Sequence, residues 1–110
     1  MAIPKPVFEF IEQELFDFDL AKARLNNAPE KIKHSLTVIA TAERLCLIEE
    51  AINELPDQHR QFYELYYRQG KKLQEVMAKM YLSRTTAYRL RREIVAFVGL
   101  KLGVVREWDK

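Results

Sequence analysis

Apolar residues in the C-terminal half of the chain recur twice at the three- and four-residue spacing of a single helix face. The first run spans Leu73 to Met80, and its apolar positions are Leu73, Val76, Met77 and Met80. The second begins at Ser83, and its apolar positions are Ala87, Leu90, Ile94, Phe97 and Val98. This spacing predicts two amphipathic helices. Only Tyr81 and Leu82 separate the runs, so the helices must meet at a tight corner.

Ser83 is a favourable N-cap for the second helix. Its hydroxyl can accept a hydrogen bond from a free backbone N–H in the first turn. A helix, a short turn and a capped second helix together outline a helix-turn-helix.

The outer face of the second helix suggests a function. With the apolar row turned inward, the outward and flanking residues are Arg84, Thr85, Tyr88, Arg89 and Arg92. The first turn of such a helix reaches base edges in the major groove, where arginine pairs with guanine. Arg91 and Arg92 are better placed for phosphates. A solvated basic helix covering a small core is the alternative, but four arginines within nine residues beside a capped turn favour DNA.

The N-terminal segment predicts an acidic amphipathic helix. Pro4 and Pro6 should keep Met1 to Pro6 irregular, with the helix beginning at Val7. Its apolar positions are Phe8, Ile11, Leu15, Phe18 and Leu25, and its other faces are rich in Asp and Glu. It is too acidic for a membrane-surface helix. Packing on the chain's own next helix and pairing with a second copy, as a homodimer, both remain open.

The middle of the chain is also helical in pattern. Glu30 to Leu55 has an apolar face that drifts, which fits one long helix or two with a bend near Leu36 to Ala40. Pro56 and Asp57 then start another helix, which ends at Gly70. Its predicted inner residues are Phe62, Leu65 and Tyr66. Its three tyrosines, Tyr63, Tyr66 and Tyr67, either cover the core or stack on a partner.

Charge is distributed unevenly along the 110 residues. Residues 1–67 contain 7 Lys and Arg against 12 Asp and Glu, a balance of −5, whereas residues 68–110 contain 11 against 4, a balance of +7. Basic charge concentrated in one segment is typical of a phosphate-binding surface. No apolar run approaches membrane-spanning length and the N-terminus lacks a signal-peptide pattern, so we expect a cytoplasmic protein without membrane association.

Catalytic and metal-binding patterns are not found in the sequence. Cys46 lies in an apolar helical run and is predicted to be a small buried hydrophobe. Neither His34 nor His59 has a second ligand at useful spacing, so we expect no metal, no cofactor and no enzymatic activity. Gly99 and Gly103 are predicted to loosen the last helix, and the tail, residues 104–110 with Trp108, is predicted to fray unless bound.

Several stretches resemble a known family. Leu55-Pro56, Arg60, FYELYYRQG, Leu73 to Val76 and Leu82 to Thr86 are similar to region 4 of sigma-70-type factors, and the overall layout resembles RinA/ArpU-type phage transcriptional regulators. Met77 and Tyr81 depart from the small residue and glycine usual there. The resemblance adds Thr86 to the DNA-binding set and places Lys72 near phosphates. It also implies activation of phage late genes in a bacterial host, at the nucleoid.

These observations predict an all-α protein, in which N-terminal amphipathic helices precede a sigma-70 region 4-like bundle containing a helix-turn-helix. Residues 1–41 would form an arm, 42–103 the DNA-binding domain and 104–110 the tail. The expected function is sequence-specific binding of double-stranded DNA as a transcriptional regulator. The alternative is an interaction module that binds RNA polymerase or a sigma factor and touches DNA weakly.

Overall fold

A computed structural model describes residues 3–105, and every regular element among them is helical. Five α-helices follow one another: α1 (Lys5–Asn26), α2 (Leu36–Asn53), α3 (Asp57–Tyr63), α4 (Leu73–Met80) and α5 (Arg84–Leu102). A short 3₁₀ turn, Glu30–Ile32, precedes α2, and a π-helical segment, Glu64–Arg68, continues α3. The prediction of an all-α fold is confirmed. Within this part of the chain no helix is both long and apolar enough to cross a membrane.

The first helix begins earlier than the sequence predicted. Pro6 lies in the first turn of α1, which starts at Lys5 rather than Val7. Proline is tolerated there because the first-turn N–H groups have no intrahelical acceptor in any case. The prediction that both prolines exclude a helix before Val7 is therefore wrong.

One hydrophobic core joins α1 to the later helices. Ile11, Leu15 and Phe18 of α1 are buried against α2, α5 and the π-helical segment. The central residues of α2 and α5 complete the cluster, including Ile48, Leu90, Ile94 and Val98. The packing of α1 on its own chain is thus observed. The helix α2 is continuous through residue 41, where the sequence suggested a boundary between arm and bundle.

The pattern from Glu30 to Leu55 is divided before Leu36, and Ser35 caps α2 by accepting a hydrogen bond from the Val38 N–H at 3.3 Å. The inner row of α2 is Leu45, Ile48 and Ile52. Cys46 is exposed, which overturns its predicted burial. Each helical residue turns by about 100°, so the neighbour of Leu45 faces away from the core.

The π-helical segment rearranges the aromatic residues of the third helix. Its wider turn is closed by a bond from the Gln69 N–H to the Glu64 carbonyl oxygen at 3.0 Å. The i→i+5 bond encloses one more residue than an α-helical bond does, and as a result the Tyr67 side chain points inward beside Phe62. Tyr63 and Tyr67 are buried, whereas Leu65 and Tyr66, which the sequence assigned to the inner face, are only half-buried. Gly70 ends the segment with φ +67°, as predicted.

The C-terminal end of α5 is closely packed. Gly103 terminates the helix with φ +76°, and the Val104 and Val105 N–H groups both donate to the Gly99 carbonyl oxygen. This places Val105, which is buried, against Gly99. The prediction that these glycines loosen the helix is wrong, since one permits close approach and the other forms the cap. The predicted fraying of the tail is not seen at Val105, and Trp108 lies outside the described residues.

We expect Gly99→Ala to destabilise the protein by about 1–3 kcal/mol, since overpacking outweighs the preference of helices for alanine. A Cβ at Gly99 would lie 2.6 Å from Cγ2 of Val105 and 2.9 Å from Cδ1 of Ile11. Denaturant unfolding measures the change. Shortening the obstructing side chain in Gly99→Ala/Val105→Ala should cost less than the sum of the effects of the two single substitutions. If Gly99→Ala alone stabilised the protein, the close approach of Val105 and Ile11 to Gly99 would not restrict the side chain at this position.

Candidate nucleic-acid interface

The helices α4 and α5 meet at the predicted corner. Tyr81 adopts the left-handed conformation with φ 55° and ψ 45°, and the Leu82 N–H donates to the Met77 carbonyl oxygen at 2.9 Å. The tyrosine side chain is 95% exposed. Tyr81 therefore provides the turn that glycine usually provides, at the expense of backbone strain.

We expect Tyr81→Gly to raise the free energy of unfolding by up to about 1 kcal/mol. Relief of the left-handed strain exceeds the added entropy of the unfolded chain, and an exposed ring loses little packing. Thermal unfolding monitored by circular dichroism measures the shift. Lys79→Gly, at an exposed position within α4, is the matched control and should lose about 1 kcal/mol. Equal losses in both variants would contradict strain at the corner.

Ser83 caps α5 as predicted. Its Oγ accepts a hydrogen bond from the Thr86 N–H at 3.1 Å, and its hydroxyl donates to Oγ1 of Thr86 at 2.9 Å. Thr86 is half-buried, and its hydroxyl is occupied by this contact. Thr86 therefore stabilises the start of α5, whereas the preceding residues Arg84 and Thr85 are exposed.

An exposed basic surface covers the N-terminal half of α5. Its five members in α5 are exposed: Arg84, Thr85, Tyr88, Arg89 and Arg92. The opposite row, which includes Ala87 and Leu90, is fully buried. We call these five residues, together with Lys72, the basic surface. No carboxylate within residues 3–105 lies within 4.0 Å of a charged nitrogen of Arg84, Arg92 or Lys72. Their charges are therefore available to an anionic partner.

The basic surface extends from α5 onto the start of α4. Lys72, which immediately precedes α4, lines a shallow groove together with Gln74, Met77, Arg84 and Tyr88. The guanidinium carbon of Arg84 lies 5.9 Å from the centre of the Tyr88 ring. This contact orients the arginine over an aromatic face while it remains in solvent. Lys72, named from the sequence only by resemblance, thus belongs to the same surface as Arg84.

Arg91 points away from the basic surface. Its Nε and Nη2 each donate to a different oxygen of Glu12 at 2.7 Å, a bidentate pair between α5 and α1. The guanidinium carbon lies 5.5 Å and 5.6 Å from the ring centres of Phe8 and Tyr66. The hydrogen bonds with Glu12 raise the pKa of Arg91. Because Nε and Nη2 are engaged inside the protein, we leave Arg91 out of the basic surface.

Glu12 is the buried carboxylate of this pair, 8% exposed, and it also accepts a hydrogen bond from the Tyr67 hydroxyl at 2.6 Å. Burial first, and the Glu12 charge second, raise the pKa of Tyr67, which stays a neutral donor. Burial likewise raises the pKa of Tyr66. The sequence contained a hint of this link, because Glu12 lies four residues after Phe8 and three before Leu15, within the apolar row of α1.

The other flank of α5 holds a second polar contact that the sequence did not reveal. Oε1 of Glu93 lies 3.0 Å from Nη1 of Arg89 and 2.9 Å from Nε2 of His59 in α3. The helix α5, which carries the basic surface, therefore makes polar contacts on both flanks, with Glu12 on one side and with His59 on the other.

Comparison with protein-family models, curated proteins and solved structures gives no match to this chain.

Proposed function

We propose that the protein is a sequence-specific DNA-binding transcriptional regulator and that α4 and α5 act as a helix-turn-helix. The observation that carries the proposal is the basic surface at the start of a capped helix. Arg84 and Thr85 project from the first turn, where a recognition helix approaches base edges. The positive end of the helix dipole lies at the same place and favours an anionic partner.

The proposed DNA-contacting residues divide into two groups by their position relative to the first two turns of α5. Arg84, Thr85, Tyr88 and Arg89 are the proposed base-contacting residues, since they lie on the outward face of its first two turns. Arg92 and Lys72 flank them and are proposed to bind phosphates, which fixes the register of the helix on DNA. By resemblance to RinA/ArpU-type regulators, the genes controlled would be phage late genes, and the direction of control would be activation.

The test is fluorescence anisotropy with a random-sequence DNA duplex over a salt series. Binding of the wild type should weaken steeply with salt. An Arg84→Ala/Arg89→Ala/Arg92→Ala variant should bind more weakly and show a slope shallower by at least about one, since loss of the phosphate-binding Arg92 alone reduces the slope by about one. The control removes three exposed cations elsewhere, as Lys5→Ala/Arg24→Ala/Lys31→Ala, and should retain nearly the wild-type slope. Absence of salt-dependent binding by the wild type at low salt would overturn the proposal.

A groove at the C-terminal end of α5, away from the basic surface, favours a second function. Exposed apolar side chains, among them Phe10, Leu47 and Val104, line a groove between α1, α2 and the end of α5. Such a surface suits a protein partner, in keeping with a module that binds RNA polymerase or a sigma factor. In that case, alanine at Arg84 and Arg89 would leave transcriptional activity intact, whereas under the leading proposal the activity is lost.

A further inference from the structure

The carboxylate of Glu93 lies beside the basic surface. A negative charge at this position repels the phosphates that the surface is proposed to bind. Glu93 follows Arg89 by one helical turn, and its Oε1 is shared between Arg89 and His59. The side chains of Glu93 and His59 are 24% and 17% exposed. They form part of a cleft between α5 and the junction of α2 and α3, whose apolar residues include Leu55, Pro56 and Phe97. The carboxylate is thus partly withdrawn from water.

A single hydrogen bond orients the ring of His59. An ionised carboxylate only accepts, so Nε2 of His59 must carry the hydrogen in this contact. Nδ1 of His59 is buried and has no hydrogen-bond partner among residues 3–105. Among residues 3–105, the bond to Glu93 is thus the only hydrogen bond between the ring and α5. Because α3 is packed on α5, the ring in turn holds the carboxylate in one place.

Arg89 is held by one end of its guanidinium. Nη1 donates to Glu93, while Nε and Nη2 donate to no other group in the described part of the chain. The side chain is about half exposed. A long arginine side chain loses considerable rotamer freedom when it binds, and an anchor on the protein removes part of that loss in advance. The donors not engaged by Glu93 remain available for a guanine edge.

We propose that Glu93 is a positioning residue for Arg89, which increases discrimination between DNA sequences and decreases affinity for DNA in general. This inference rests on the proposed DNA-binding function. The carboxylate orients the guanidinium toward one base pair and, as a negative charge, repels phosphates on every sequence. The orientation effect increases the ratio of specific to non-specific binding, the quantity that matters among many competing sites, whereas the repulsion lowers affinity for all sequences alike.

Two substitutions separate the effects of charge and position. Glu93→Gln removes the charge but keeps an oxygen that can accept from Arg89, whereas Glu93→Ala removes both. On a random-sequence duplex, both variants should bind roughly twofold to fivefold more tightly than the wild type, with a steeper salt slope. His59→Gln tests the second contact, and thermal unfolding establishes that each variant is folded.

Discrimination is measured by selection from a duplex pool with a randomised core. Glu93→Ala should lose roughly fivefold or more of the preference at one base pair, the same pair affected by Arg89→Ala. Glu93→Gln should retain most of that preference. In the Arg89→Ala background, Glu93→Ala should change the preference no further while still raising affinity for random DNA.

Two results would overturn the inference, and they are distinguishable. If the wild type enriches a motif and Glu93→Ala enriches the same motif with unchanged preference at every position, Glu93 positions nothing, but the DNA-binding proposal stands. If the wild type neither binds the random duplex at low salt nor enriches any motif, the proposed function fails and this inference fails with it.

Discussion

Replacing Glu12 with alanine is expected to lower the free energy of unfolding by about 3 kcal/mol, the lower end of the range for breaking a buried ion pair. The loss arises because the Arg91 guanidinium keeps its charge in a half-buried site between two aromatic rings. The Tyr67 hydroxyl also loses its acceptor. Denaturant unfolding measures the change. Arg91→Ala should be similarly destabilising.

The matched control is Glu9→Ala, on the solvent side of the same helix. Glu9 is exposed and pairs with Lys5 at 3.9 Å, so its removal should change stability by less than about 0.5 kcal/mol. The Glu12→Ala/Arg91→Ala protein should lose clearly less than the two single losses combined, since each single change leaves the other partner uncompensated. Equal effects of Glu9→Ala and Glu12→Ala would contradict a structural role for the buried pair.

The largest loss from a single apolar side chain is expected for Phe62→Ala, about 3–5 kcal/mol. Phe62 is completely buried, and its ring centre lies 5.4 Å from that of Tyr66 and 6.4 Å from that of Tyr67. Truncation leaves a cavity that rigid neighbouring rings cannot fill. Thermal and denaturant unfolding measure the loss, and the near-ultraviolet circular dichroism of the surrounding tyrosines should weaken.

The matched control is Phe16→Ala, on the solvent-exposed side of the same cluster of aromatic rings. The ring centre of Phe16 lies 4.9 Å from that of Tyr67, yet the residue is 42% exposed. Phe16→Ala should therefore cost only about 1 kcal/mol, because the ring already contacts water and its site is open. A loss at Phe16 as large as that at Phe62 would mean that contact with Tyr67, rather than burial, sets the energetics.

The parts of the fold that depend on local patterns were predictable. The corner at Tyr81, the Ser83 cap, the turn at Gly70 and the outward row of α5 all follow from residues close together in sequence. Hydrophobic spacing and capping act over one or two helical turns, so they are visible without a tertiary structure.

The parts that depend on distant partners were not predictable. Arg91 meets Glu12 across 79 residues, and His59 meets Glu93 across 34. From sequence, Arg91 was another arginine on a basic helix, although its position one turn after Ala87 places it beside the buried row. The π-helical segment escaped prediction for a related reason, because one wider turn changes which tyrosines face inward without changing the apolar pattern.

The long separation between Glu12 and Arg91 also has a kinetic consequence. The pair closes a loop of most of the chain, so its formation carries a large loop-closure entropy that local helix packing does not. We therefore expect contacts of this kind to form after the short-range helix pairs, so that α1 completes its packing on α5 late in folding. Loss of the Glu12 carboxylate should therefore accelerate unfolding far more than it slows folding. The buried pair then sets the lifetime of the native state, in which α1 remains packed on the helix that carries the basic surface.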